Sequence, residues 1–137
     1  MHPKKFFLVV ALSLSFIGTT STSTKAQSLS DLDGNAFLMH PRTGQFLGNV
    51  SSDRFDDQSI CNPYGTYGSK YQEMSLWNKY GDYGSPYSNV SAYNSRAQYP
   101  PILYLKNGQA LAVVSVSSKW EPVIHPGALL GVICGQR

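Results

Sequence analysis

The chain has 137 residues, and its 11 lysine and arginine residues outnumber its 8 acidic residues. That length is typical of one domain. The excess of positive charge comes from Lys4, Lys5 and Lys25, so the chain beyond residue 26 is formally neutral. A neutral surface has no long-range attraction for phosphate backbones, which argues against nucleic acid as a partner.

Residues 1–26 have the layout of a secretory signal peptide. A basic start is followed by an apolar stretch over residues 6–18, which is shorter than the roughly 20 residues that span a bilayer. Thr24 and Ala26 are the small residues that signal peptidase recognises, and the alternative is an uncleaved N-terminal anchor. We therefore predict cleavage after Ala26, one secreted or periplasmic domain at 27–137, and no stable membrane span after cleavage.

The segment DLDGN at 31–35 mimics the opening of a calcium-binding loop, with Asp31 and Asp33 in the first two ligand positions. The twelfth position of such a loop is Arg42, where a bidentate Glu is required, so an EF-hand is excluded. A weak turn-type calcium site using carboxylates of residues 53–57 and simple Asp-Gly turn chemistry remain as alternatives. The expected metal and cofactor content is none.

Two segments with an apolar arm, a turn and a second apolar arm predict β-hairpins at about 36–50 and 102–117. Asn107-Gly108 in the second is typical of a type I′ turn, because both residues tolerate positive φ. The turn at 42–44 in the first is the looser three-residue form.

Between the hairpins, residues 64–78 and 80–94 are two copies of one unit at an offset of sixteen residues. Eight positions match identically. The pairs are Tyr64 and Tyr80, Gly65 and Gly81, Tyr67 and Tyr83, Gly68 and Gly84, Ser69 and Ser85, Tyr71 and Tyr87, Ser75 and Ser91, and Asn78 and Asn94. A degraded copy precedes them, so the repeat region covers about 48–94.

In the degraded copy, Cys61 occupies the position of Trp77 and Tyr93, which predicts that all three side chains face one interior site. An oxidising compartment favours a disulfide between Cys61 and Cys134, the two cysteines of the chain. Two buried thiols or a metal site are the alternatives, although two cysteines lack the further ligands of a zinc site.

The glycine-rich repeats disfavour helix, since each glycine costs about 1 kcal/mol in a helix interior. Turn-rich loops stacked on a small sheet are expected, with Glu73–Asn78 the segment best suited to one helical turn. The final run ALLGVICG at 128–135 predicts a buried strand. The predicted fold is mainly β with much turn and irregular structure: two β-hairpins flanking tandem 16-residue Tyr/Gly repeats, plus a C-terminal strand.

The stretch from about 36 to 117 resembles a family of small secreted bacterial proteins of unknown function. The matching segments are LGNVSS (47–52), SICNPYGTYGS (59–69), KYGDYGSPYS (79–88), SAYN (91–94) and PPILYLKNG (100–108). The chain departs from the family pattern at Lys79, which replaces a proline, and at Ser95-Arg96. The resemblance implies an exported module, often stand-alone or tandem, and implies no substrate or catalytic residue.

No catalytic signature is found in the predicted domain. His40 and His125 each precede a proline, which holds the backbone extended and suits a loop. No serine lies in a G-x-S-x-G nucleophile elbow. Asp56 and Asp57 are adjacent, and neighbours on an extended chain point in opposite directions, so they cannot flank one glycosidic bond. The predicted catalytic set is therefore empty.

The aromatic side chains of the repeats, beside serine and asparagine, are the candidate ligand-binding residues. The rings are Tyr64, Tyr67, Tyr71, Tyr80, Tyr83, Tyr87, Tyr93 and Tyr99, with Trp77. The predicted ligand contacts among them are Tyr67, Tyr71, Trp77, Tyr83 and Tyr87. The sequence favours the alternative that the rings form the core of a domain poor in Leu and Ile. The expected function is an exported non-enzymatic module that binds an envelope glycan or a protein partner. A small secreted enzyme or enzyme inhibitor with an unrecognised loop site is the alternative.

Overall fold

The structure is a computed structural model that describes residues 28–135. A short 3₁₀ helix at Leu29–Leu32 opens the described part of the chain. The remaining elements are strands β1 (Ala36–Met39), β2 (Phe46–Val50), β3 (Ile102–Leu105), β4 (Ala110–Val114) and β5 (Val123–Ile124), and helix α1 (Pro126–Cys134). The predicted signal peptide at 1–26 lies outside the described residues. Within those residues no helix is long and apolar enough to cross a membrane.

The five strands form one open sheet in the order β2-β1-β3-β4-β5. The two predicted hairpins are present, as β1–β2 and β3–β4, and β1 pairs antiparallel with β3 to join them. The short β5 runs parallel to β4 at the far edge. The mainly β fold class is confirmed.

The turn of the second hairpin is not type I′. Gly108 has φ +92°, but no residue other than glycine between 28 and 135 has a positive φ, so Asn107 does not. The Gly108 N–H donates to the Leu105 carbonyl and the Leu105 N–H to the Gln109 carbonyl, both at 2.8 Å. The loop between Leu105 and Gln109 therefore has three residues. The Asn107 side chain accepts from the Gln109 N–H at 2.8 Å, and this bond keeps the φ of Asn107 negative.

Helix α1 replaces the predicted C-terminal strand. The apolar run alone does not distinguish a buried strand from a buried helix. Its ends decide: His125 Nδ1 accepts from the Gly127 N–H at 2.9 Å, Pro126 occupies the first helical position, and Gly135 follows the helix with φ +68°. Leu129 and Ile133, four residues apart, are both buried, as helical periodicity requires.

The predicted disulfide between Cys61 and Cys134 is present. It joins the first copy of the repeat to α1 rather than to a strand. The two cysteines are 73 residues apart in sequence. In the chain-entropy model, closing a loop of that length lowers the entropy of the unfolded chain and so raises the free energy of unfolding by about 4 kcal/mol.

Residues 51–100 cross the molecule as consecutive turns, without a helix. Glu73–Asn78 makes no helical turn, because the Ser75 side chain accepts from the Trp77 N–H at 3.0 Å and diverts it from helical pairing. Each copy of the unit inserts an apolar side chain into the core at the same position, at Ile60, Leu76 and Ala92, all at most 2% exposed. The sixteen-residue spacing of these side chains keeps the copies in register against the sheet.

Hydrogen bonds attach the turn segment to the sheet at both ends. The Asn49 N–H of β2 donates to the Gln58 carbonyl at 2.7 Å, and the Ile60 N–H donates to the Asn49 carbonyl at 3.0 Å. At the other end, the Val116 N–H donates to the Ala92 carbonyl at 2.9 Å. The turns are therefore held as an extension of the sheet, and they present their outer side to solvent.

Candidate functional site

The outer side of the turn segment carries five almost fully exposed aromatic rings. They are Phe55 (91% exposed), Tyr64 (93%), Tyr71 (88%), Tyr80 (87%) and Tyr87 (90%). Exposed apolar groups that cluster, rather than occur singly, are typical of binding surfaces. These five rings are therefore the starting point for the site.

Each of the five rings follows, by two residues, a side chain whose oxygen accepts a hydrogen bond from the backbone N–H of the aromatic residue. The pairs are Asp53 with Phe55 at 2.9 Å, Asn62 with Tyr64 at 2.9 Å, Ser69 with Tyr71 at 3.0 Å, Asn78 with Tyr80 at 3.0 Å, and Ser85 with Tyr87 at 3.0 Å. These side chains close local turns in the manner of Asx and Ser/Thr turns. The same turn chemistry thus sets the backbone under every exposed ring.

The rings fall into two sets at sixteen-residue intervals. The first column consists of Phe55, Tyr71 and Tyr87, and the second column consists of Tyr64 and Tyr80. One further step of sixteen along the second column reaches Arg96. Neighbouring copies of the unit therefore present the same groups at the same positions.

Buried asparagines hold the second column in place. Asn62 and Asn78 are 6% and 9% exposed. Besides accepting from the residue two positions on, their Nδ2 groups donate to the carbonyls of Asp56 at 3.2 Å and Gln72 at 3.1 Å. Asn94 repeats both bonds, at 2.9 Å to the Ser88 carbonyl and 2.9 Å from the Arg96 N–H. Each asparagine therefore ties the turn below the second column to a turn six residues earlier.

Two clefts lie between the columns. Cleft one has a volume of about 500 Å³ and is lined by Arg54, Phe55, Asn62, Pro63 and Tyr64.

Cleft two, of about 600 Å³, is lined by the same five positions sixteen residues on, together with Trp77. These residues are Lys70, Tyr71, Asn78, Lys79 and Tyr80. Both clefts therefore share a cation, two exposed rings and a buried amide at equivalent positions, and cleft two adds Trp77 and a second cation, Lys79.

The predicted ligand-binding residues divide between the clefts and the core. Tyr71 and Tyr87 belong to the first column, and Trp77 lines cleft two while its Nε1–H donates to the Ile60 carbonyl at 2.8 Å. Trp77 and Tyr93 are partly buried and pack against the core cluster that contains Cys61. That the three side chains share one interior site stays a prediction.

Tyr67 and Tyr83 are core residues rather than ligand contacts. Tyr83 is 7% exposed and meets His40 edge-on with ring centroids 6.2 Å apart, and burial raises the pKa of its hydroxyl. Tyr67 meets Phe46 edge-on at 5.1 Å. The interpretation of the rings as core thus holds for these two and fails for the exposed Tyr64, Tyr71, Tyr80 and Tyr87.

The sequence reasoning missed part of the cleft lining. Phe55 and the cations Arg54, Lys70 and Lys79 were not among the predicted residues, and Tyr64 and Tyr80 belonged only to the wider set of rings. The turn-closing side chain two residues before each ring gives no signal for exposure. Ser75 and Ser91 accept in the same way from the N–H groups of Trp77 and Tyr93, both at 3.0 Å, and these two rings pack against the core.

The histidines hold turns. His40 is 9% exposed, and its Nδ1 accepts from the backbone N–H groups of Arg42 at 3.0 Å and Thr43 at 3.4 Å. Burial, and secondly the charge of Arg42, lower the pKa of His40. His125 caps α1 as described above.

The N-terminal carboxylates are likewise engaged with the backbone. Asp31 accepts from the Ser28 N–H at 3.0 Å and Asp33 from the Ser52 N–H at 2.8 Å. In the part of the chain that the structure describes, no group of three His, Cys, Asp or Glu side chains is placed to hold a metal ion. Asp31 therefore closes a local turn, whereas Asp33 joins the N-terminal segment to the chain just after β2.

Comparisons with protein-family models, with curated proteins and with solved structures find no match to this chain. The resemblance to a family of small secreted bacterial proteins stays a prediction. The aromatic columns and the two clefts are therefore the features from which a function is inferred.

Proposed function

We propose that this protein is an exported, non-enzymatic module that binds a polysaccharide of the cell envelope in its two aromatic clefts. The observation that carries the proposal is the recurrence of one cleft lining at a sixteen-residue offset. Export is supported by the signal-peptide pattern of residues 1–26 and by the disulfide, which is typical of oxidising compartments.

Sugar rings suit these clefts chemically. A pyranose has apolar C–H faces that pack on an aromatic ring and hydroxyl groups around its edge that need polar partners. Tyr71 and Tyr80 offer both, because each is a rigid ring with a polar tip and loses little conformational entropy on binding. Volumes of about 500 and 600 Å³ fall within the range of small-molecule pockets, so each cleft accommodates one or two sugar units.

A polymer explains why the cleft is repeated. A single sugar gains nothing from a second identical cleft, whereas a chain with its own repeat contacts both. The second contact is then intramolecular, so the avidity exceeds the affinity of either cleft alone. Weak clefts therefore suffice for firm retention on a polysaccharide.

The test compares two double variants of cleft two. Tyr71→Ala with Tyr80→Ala removes both rings, and Tyr71→Phe with Tyr80→Phe keeps the rings but removes the hydroxyls. Each aromatic contact contributes about 0.5–1.5 kcal/mol, so the alanine pair lowers affinity by about five- to 150-fold. The measurement is retention on insoluble glycans and affinity electrophoresis in soluble ones. Unfolding free energies of both variants stay within about 0.5 kcal/mol of the native protein, since the replaced side chains are exposed.

Equal loss in the alanine and phenylalanine pairs would show that hydroxyls, not rings, make the contact. Equal retention of the alanine pair and the native protein would refute the proposal. Binding of proline-rich peptides in place of glycans would assign the clefts to a protein partner, since extended proline helices also dock on aromatic grooves.

A further inference from the structure

We infer that the polysaccharide is anionic and carries its charge as carboxylates on the sugar rings. This inference depends on the proposed function, and it names the ligand class of the same clefts. It comes from the charges that line them. Arg54 lies in cleft one, Lys70 and Lys79 lie in cleft two, and no carboxylate of residues 28–135 lines either.

This one-sided lining contrasts with the composition of the segment. Residues 51–100 contain five acidic side chains, at Asp53, Asp56, Asp57, Glu73 and Asp82. Two of them are turn-closing groups: Asp53 accepts from the Phe55 N–H and Asp56 from the Gln58 N–H, each at 2.9 Å. The predicted domain is formally neutral, so the cationic character belongs to the clefts and not to the whole surface.

The third copy extends the same arrangement. Tyr87 continues the first column, and Arg96 occupies the second-column position of Tyr64 and Tyr80. The Asn94 side chain accepts from the Arg96 N–H as Asn62 and Asn78 accept from their tyrosines. Every copy therefore offers one exposed first-column ring and at least one cation, at Arg54, at Lys70 and Lys79, or at Arg96.

Because each cleft places an aromatic ring beside a cation, it favours a ligand that carries a sugar ring and a negative charge together. Guanidinium and ammonium groups form charge-assisted hydrogen bonds with carboxylates, and these are stronger in a partly enclosed cleft than in bulk water. A chain of polyol phosphates brings charge but no sugar ring to pack on Tyr71 or Phe55. A neutral glucan brings rings but no negative charge to pair with Arg54 and Lys70, or with Lys79, whose Nζ lies over the Tyr80 ring at 5.7 Å from the centroid. A polyuronate supplies both on each sugar unit.

The experiment compares two polyuronates (polygalacturonate and alginate) with the neutral polymers made from them by reducing each carboxyl to an alcohol. Linkage and ring geometry are matched within each pair. We expect at least one polyuronate to bind the purified protein at least tenfold more tightly than its reduced form. Raising NaCl from 50 to 500 mM removes most of that difference, because exposed charges are screened.

The matched variants are R54Q/K70Q/K79Q, which neutralises the clefts, and K106Q, which neutralises an exposed lysine in the β3–β4 loop. The triple variant loses about tenfold in affinity for the polyuronate and keeps its affinity for the reduced polymer. K106Q stays within twofold of the native protein for both. The salt series uses the native protein alone, so it tests the charge dependence of binding even if the triple variant does not fold.

Equal binding of a polyuronate and its reduced form overturns the anionic inference and leaves glycan binding intact. Tighter binding of dextran sulfate or of a polyol phosphate overturns the assignment to carboxylates. An absence of binding to every polysaccharide, charged or reduced, overturns both this inference and the proposed function.

Discussion

Replacing Asn78 with alanine tests whether the buried asparagines hold the clefted surface together. Asn78 is 9% exposed, accepts from the Tyr80 N–H at 3.0 Å and donates to the Gln72 carbonyl at 3.1 Å. Each such hydrogen bond contributes about 1 kcal/mol net, and leaving its partners without a protein bond costs at least as much. Asn78→Ala therefore lowers the free energy of unfolding by about 2 kcal/mol.

The matched control is Asn107→Ala. Asn107 makes the same type of bond to the N–H two residues on, at 2.8 Å, but it is exposed in the β3–β4 loop. Water replaces the lost bond there, so the expected cost is about 0.5 kcal/mol. Urea unfolding with the disulfide intact, followed by circular dichroism and tryptophan fluorescence, measures both variants. A cost for Asn78→Ala no larger than for Asn107→Ala would refute this role for the buried amide.

Two further predictions concern the fold. Gly84→Ala destabilises the protein by about 1–3 kcal/mol, because a Cβ there would meet the Asn78 carbonyl and lie 2.7 Å from the Leu76 carbonyl, both on backbone that cannot yield cheaply. The control is Gly131→Ala in α1, where an added Cβ would meet open space; it raises the free energy of unfolding by about 1 kcal/mol in the same assay. If Gly84→Ala were as stable as Gly131→Ala, the close packing around Gly84 would be contradicted. Because the pKa of His40 is lowered in the folded protein, folding favours the neutral imidazole. The contribution of His40 to the free energy of unfolding is therefore complete above the unfolded pKa near 6.5 and is lost as the pH falls through the folded pKa. His40→Asn, which keeps an acceptor for the Arg42 N–H, reduces the loss of stability between pH 7 and 5, and an unchanged pH profile would show that His40 is not its source.

The hairpins and the disulfide were predictable because their signals are local or few. In 36–50 and 102–117, two apolar arms flank a few turn residues, and two cysteines allow one intramolecular pairing. The C-terminal helix was not, since ALLGVICG is apolar on most positions and strand and helix bury it equally well. The His125-Pro126 pair before the run and Gly135 at its end indicate a helix, but only if these end signals are given more weight than the apolar run itself.

The sixteen-residue unit and the residues that close its turns are readable from the amino-acid order, because these turns form between a side chain and backbone two to six positions away. Which rings are buried depends instead on long-range packing. Tyr83 and Tyr80 are three residues apart in one unit, yet Tyr83 is 7% exposed and Tyr80 87%. Composition treats the two tyrosines alike. The difference arises because Ile60, Leu76 and Ala92 press one side of the turns against the sheet, which leaves the opposite side, with both clefts, to solvent.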